Sequence, residues 1–141
     1  MIFAPYEKTP IEAADDVKDF IKNKVVYDLG SGDGTFALAL KQYAKEVVGV
    51  ELDPILATRA VSRGVNTLNE NFLDVDISKA EVLFVFMSFY GTSRLTKRLL
   101  QMKWKGLVIS HYYPLHTMLD CPLVPIDRKD KTCPLLIYEM K

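Results

Sequence analysis

Val25-Val26-Tyr27-Asp28-Leu29-Gly30-Ser31-Gly32-Asp33-Gly34 runs from a β-branched and aromatic stretch directly into a string of glycines. Residues 24–29 read as a strand, since such side chains suit a pleated surface, and the glycines end it in a tight turn. Phe36, Leu38, Leu40 and Tyr43 then mark the apolar positions of a helix. Between a strand and a helix, a glycine string becomes a candidate ligand loop: the backbone can turn tightly and ligand atoms can approach it closely. Residues 46–52 read as a second strand, and Asp53-Pro54 opens a second helix with Asp as N-cap and Pro at the first helical position. Glu51 falls 21 residues after Gly30, at the end of that second strand, where a carboxylate can accept both ribose hydroxyl hydrogens of an adenosine ligand. The order of these features predicts a nucleoside cofactor. The plainer alternative is a glycine turn beside an exposed Glu.

Working outward, Ile11, Ala14, Val17, Phe20 and Ile21 form the apolar stripe of a helix over residues 11–23, begun just after Thr9-Pro10. Residues 65–68 make a weak third strand. Residues 80–87 make a strong fourth, whose nearly unbroken apolar character fits a central strand buried on both faces of a parallel sheet. A helix is expected over 92–102 and a fifth strand over 106–110. Two further strands, 123–127 and 135–140, are joined by too few residues for a parallel pair and are expected to be an antiparallel hairpin. Strands alternating with helices predict a doubly wound α/β sheet, mostly parallel with a C-terminal antiparallel hairpin. It is reduced in size: residues 69–79 leave little room for the usual helix, and 112–121 hold at most a short one.

The 141 residues suit one domain, with 1–23 as an N-terminal segment and helix, 24–110 as the cofactor-binding core and 111–141 as the hairpin region. Eighteen Lys and Arg balance 18 Asp and Glu, so a polynucleotide partner would need a local basic patch. Arg94, Lys97 and Arg98 on one helix face could supply it, although a solvated face is the plain reading. The longest apolar run, residues 82–87, is far short of the roughly 20 residues that cross a bilayer, so no membrane span is expected. With no leader-like N-terminal stretch, a cytoplasmic location is expected. Cys121 and Cys133 are expected to be free thiols, and no metal site is expected.

The spacing also bears on which nucleoside is bound. Dinucleotide sites use G-x-G-x-x-G with the helix N-terminus turned on a pyrophosphate; here the third glycine arrives one residue early and Asp28 precedes the loop. A carboxylate there would repel a pyrophosphate and attract a cation, which matches the sulfonium and ammonium groups of S-adenosylmethionine. The stretch 25–34 and Val48-Gly49-Val50-Glu51-Leu52-Asp53 resemble the first two motifs of class I S-adenosylmethionine-dependent methyltransferases. Pro5-Tyr6-Glu7-Lys8-Thr9-Pro10, Asn71-Phe72-Leu73-Asp74-Val75-Asp76-Ile77-Ser78 and Val108-Ile109-Ser110-His111 are similar to segments of the small archaeal protein-lysine methyltransferases and their mitochondrial relatives.

The resemblance implies a Rossmann-like class I methyltransferase sheet and S-adenosylmethionine as cofactor, held by Asp28, Gly30, Ser31, Gly32, Asp33, Gly34, Glu51, Leu52, Asn71, Phe72 and Met87, with Asn71 and Phe72 meeting the adenine. It implies that Tyr6 and Thr9 close over cofactor and substrate, Lys8 standing where the family has its middle Pro, and that the family's polar Thr-Asn-Val-Asn stretch is replaced by Phe89-Tyr90-Gly91-Thr92.

For the acceptor, Phe89 and Tyr90 after the fourth strand and His111 and Tyr112 after the fifth are the candidate catalytic residues. The aromatic rings would strip water from the nucleophile, and His111 is a candidate base. Their plain reading is core and loop packing. Met87-Ser88-Phe89-Tyr90 also stands where adenine-N6 and glutamine methylating enzymes carry an Asp/Asn-Pro-Pro-Tyr/Phe motif, which disfavours that chemistry. So few insertions over the ligand edge suit a protein or peptide substrate that brings its own surface. Lysine methylation of proteins is therefore the leading expectation, with RNA methylation or a non-catalytic S-adenosylmethionine-binding module as the alternatives.

Overall fold

The computed structural model describes residues 8–117 and 123–141. In chain order its elements are α1 (Ala13–Asp16), α2 (Lys18–Ile21), β1 (Val25–Leu29), α3 (Thr35–Leu40), β2 (Glu46–Val50), α4 (Pro54–Ser62), β3 (Asn66–Leu68), β4 (Val82–Val85), α5 (Phe89–Gln101), β5 (Gly106–His111), β6 (Asp127–Lys129) and β7 (Leu135–Met140). The strands form one sheet in the order β3-β2-β1-β4-β5-β7-β6. β1 to β5 run parallel, β7 runs antiparallel to β5, and β6 runs antiparallel to β7. The expected α/β sheet, mostly parallel with a C-terminal antiparallel hairpin, is the fold.

Alternate residues of each strand feed opposite faces, as the two-residue repeat of a strand requires. Val26, Val82, Phe84 and Ile109 join Ala14, Val17, Phe36, Leu40 and Ala60 in the core beneath α1 to α4. Tyr27, Leu29, Leu83, Val85 and Val108 join Leu95, Leu99 and Trp104 in the core beneath α5, together with Val75 and Ile77 from the β3–β4 connection. That connection has no helix, as its length suggested, and its own apolar side chains cover the sheet there.

Several boundaries differ from the expectations. The single helix over 11–23 is two one-turn pieces broken at Val17, whose φ of −109° leaves the helical region. A β-branched residue is a weak helix former, and here Val17 is completely buried, so packing rather than the helical ladder decides its conformation. The helix expected over 92–102 begins at Phe89, because the Ser88 hydroxyl accepts a hydrogen bond from the Gly91 N–H at 3.2 Å and caps it. The penultimate strand is Asp127–Lys129 rather than 123–127: the register Lys129↔Leu135 sets the hairpin, and Val124 and Ile126 stay exposed. β2 and β4 stop earlier than expected, leaving Glu51 and Met87 just beyond their strands. Cys133 is a free thiol, while Cys121 lies outside the described residues.

Candidate active site

Five parallel strands end along one edge of the sheet, and the segments leaving β1, β2, β3 and β4 there enclose a cleft of about 950 Å³. The glycine loop forms one side. Its central turn needs φ of +60° at Gly32, where a side chain would be strained, and Gly32 turns its N–H onto Glu51 Oε1 at 2.8 Å. Glu51 Oε2 accepts the Asp53 N–H at 2.9 Å, so both carboxylate oxygens are held by backbone and each retains a lone pair. The Asn69 side-chain amide donates to the carbonyls of Glu51 and Leu52, both at 2.9 Å, and ties the end of β2 to that of β3. Asn69 was not a sequence candidate; its place three residues before Phe72 was the only available signal.

Asp28 lies buried on the floor of the cleft. Burial, aided by the nearby Glu51 carboxylate, pushes its carboxyl up to about 7. Asp33 behaves oppositely. Burial would raise it, but hydrogen bonds from Lys8 Nζ at 2.7 Å and from the Thr35 hydroxyl at 2.7 Å and amide at 3.1 Å hold it well below the usual carboxylate range. Lys8 therefore clasps the N-terminal segment onto the glycine loop. Next to it, Thr9 Oγ1 and His111 Nδ1 are hydrogen-bonded at 3.0 Å in a buried contact. Tyr6 lies outside the described residues.

Of the cofactor candidates, Asp28, Gly30, Ser31, Gly32, Asp33 and Glu51 all line the cleft, as do Leu52, Asn71, Phe72 and Met87. Gly34 does not. It caps α3 with φ of +85°, and a Cβ there would stand 3.0 Å from both Ala60 Cβ and Val65 Cγ2, so its role is close packing of α3 on α4 and β3. Ser31 lines the cleft, yet its hydroxyl is buried against Gly49, where a Cβ would come within 2.6 Å of it. The sequence reading missed the apolar wall formed by Phe36, Phe84, Phe86, Ile55 and Leu56. No motif marks these residues, because an apolar residue near a strand end reads as core.

The acceptor-side candidates lie outside the lining of this cleft. His111 comes nearest, with its ring centroid 3.8 Å from that of Phe86 and its hydrogen bond to Thr9 linking it to two lining residues. Phe89 stacks on His116 at 3.7 Å in the first turn of α5. Tyr90 accepts a hydrogen bond from Arg94 at 3.2 Å with the guanidinium over its ring. Tyr112 is exposed, has φ of +71° and meets Tyr113 edge-on. No group of His, Cys, Asp or Glu among the described residues could hold a metal ion, and no described helix is long and apolar enough to cross a membrane.

This donor set fits an adenosine ligand with a cationic tail: a carboxylate fixed by two backbone amides, a buried acid, an apolar wall, and an open glycine turn where a Cβ at Gly32 would meet nothing within 4 Å. Comparison with known proteins agrees. Residues 28–120 match the family model of the ANTKMT methyltransferase domain. A protein-lysine N-methyltransferase of Saccharolobus islandicus is 30% identical over 125 residues, covering 79% of this chain and 78% of that protein. A 23S rRNA (uracil(1939)-C(5))-methyltransferase of Francisella tularensis is 37% identical over 67 residues, and these span only 15% of that protein. Among solved structures, an RNA methyltransferase from Salinibacter ruber in complex with S-adenosyl-L-homocysteine superposes with a TM-score of 0.78 at 23% identity, covering 95% of this chain and 94% of that one, a likeness of fold.

Proposed function

The chain belongs to the ANTKMT methyltransferase domain family and is an S-adenosylmethionine-dependent methyltransferase, and within that family we propose that it methylates lysine side chains of proteins. The observation that carries the lysine reading over the RNA one is the fate of Arg98. Its guanidinium is turned inward onto the carbonyls of Phe72 and Val75, which removes one of the three members of the basic helix face that the sequence reading offered to phosphates. The extended match to a protein-lysine relative supports the same reading.

When bound, S-adenosylmethionine supplies a methyl group activated by a positively charged sulfur. Glu51, aimed by Gly32 and Asp53, would take the ribose hydroxyls, and Asp28 would face the cationic tail. Leu52, Asn71 and Phe72 would flank the adenine, with Met87 further along the wall. A lysine acceptor with an ordinary pKa of about 10.4 loses its proton near pH 7 at a cost of about 4.6 kcal/mol. Desolvation lowers a lysine pKa by up to about 3 to 5 units, so an apolar approach can offset that cost without a dedicated base. We assign the approach to the side where His111, Phe86 and Thr9 meet, with Phe89, Tyr90 and Tyr112 at its rim.

Transfer of labelled methyl groups from S-adenosylmethionine into a cell extract tests this. Label on lysine Nζ, located by mass spectrometry, is the expected result. Label in nuclease-sensitive material would establish the RNA reading instead, and tight S-adenosylhomocysteine binding without turnover on either extract would mark a non-catalytic binding module.

A further inference from the structure

The β3–β4 connection crosses from the edge of the sheet to its centre without a helix, so its backbone groups have no ladder in which to pair. Buried carbonyls left without donors cost free energy, and here side chains from α5 and the turn after it supply the donors. Arg98 sends one guanidinium nitrogen to the Phe72 carbonyl at 2.7 Å and the other to the Val75 carbonyl. Trp104 donates its indole N–H to the Ile77 carbonyl at 3.2 Å. The turn closes on itself as well. The Asn71 carbonyl accepts the amides of Asp74 and Val75, both at 3.0 Å, and the Asn71 side-chain oxygen accepts the Leu73 amide at 2.9 Å.

Asn71 and Phe72 lie at the start of this turn and line the cleft. We propose that Arg98 is a positioning residue for the cofactor: its planar fork grips both ends of the turn and holds Asn71 and Phe72 in place to receive the adenine. A guanidinium suits this because it is always charged and presents donors at a fixed angle, so two carbonyls can be fixed at once. Arg98 reaches the ligand only through the turn. The proposal rests on S-adenosylmethionine being the cofactor, and binding of S-adenosylhomocysteine to the parent protein tests that premise separately.

The experiment compares Arg98→Ala, Arg98→Lys and Lys97→Ala, the last an exposed cation on the same helix. S-adenosylhomocysteine affinity is measured by calorimetry at a temperature where circular dichroism shows each protein folded. Arg98→Ala is expected to weaken binding about tenfold or more, Arg98→Lys to recover part of the loss because one ammonium cannot span both carbonyls, and Lys97→Ala to bind within about twofold of the parent. Turnover should show a raised KM for S-adenosylmethionine with kcat at saturation little changed, a split that general destabilisation does not produce. Hydrogen exchange at the amides of Asp74 and Val75 should quicken in the Arg98 variants. If Arg98→Ala does not fold, Arg98→Lys decides alone. Parent-like affinity in a folded Arg98 variant, or an equal loss in Lys97→Ala, overturns the proposal, the second outcome marking a surface-charge effect instead.

Discussion

Asp28 ties stability to pH, and as a proposed partner of the cofactor's cationic tail it should tie binding to pH as well. Its folded pKa of about 7 lies above the ordinary aspartate value of 3.8, so between these limits the folded chain binds a proton that the unfolded chain has released. Its contribution to stability is therefore complete below about pH 4 and falls as pH rises toward 7, by at most about 1.4 kcal/mol per unit. Asp28→Asn should flatten that part of the pH profile, as urea denaturation at several pH values would reveal. A cationic ligand prefers the ionised form, so S-adenosylmethionine affinity should rise by up to about tenfold per unit from pH 5 to 7 and then level off in the parent but not in Asp28→Asn. An equal pH dependence in both would remove Asp28 from contact with the cation. Glu51 acts by geometry: with an oxygen on each of two backbone amides, its carboxylate is held in the orientation proposed to receive the ribose. Glu51→Ala should weaken S-adenosylhomocysteine binding by about 1 to 3 kcal/mol in calorimetry, through lost charged hydrogen bonds.

Among the elements, α3 and α5 carry the clearest consequences. Gly34→Ala forces a side chain into a left-handed conformation and against Ala60 and Val65 at 3.0 Å. It should lower unfolding stability by about 1 to 3 kcal/mol, measurable as a shifted denaturation midpoint, while a parent-like midpoint would mean that α3 moves freely off α4. The first turn of α5 is where the acceptor proposal is exposed to test. Tyr90→Ala should cut turnover on a protein substrate about tenfold by loosening the approach of the nucleophile, and leave S-adenosylhomocysteine affinity within about twofold. Full activity would detach this turn from the acceptor path.

For the whole molecule, the N-terminal segment is fastened over the carboxyl edge of the sheet at two points, Lys8 to Asp33 and Thr9 to His111. The second spans 102 residues of sequence and ties the segment before α1 to the end of β5. Lys8 thus makes an ion pair with Asp33 at the position where the segment that resembles the family motif would have Pro. Zero net charge and an inward-turned Arg98 predict that methylation of a protein extract is weakly dependent on salt between 50 and 200 mM. A methyltransferase that binds RNA through several phosphates would lose orders of magnitude in affinity over that range. A steep loss of activity with salt would favour an RNA substrate.

Local chemistry alone determined most of the frame. The glycine turn, the Asp53 N-cap with Pro54, the helix-free connection and the succession of strands and helices along the chain all follow from the backbone preferences of single residues and from the lengths between them. Ten of the eleven cofactor candidates line one cleft for the same reason, since each sits at or just past the end of a strand. Tertiary packing decided the rest, because it depends on partners distant in the chain. It broke the first helix at buried Val17, turned Gly34 from a ligand contact into a packing contact, and started α5 early enough to place Phe89 and Tyr90 on a helix. It also turned Arg98 from the surface onto a turn 26 residues away, where unpaired carbonyls offered more than solvent did.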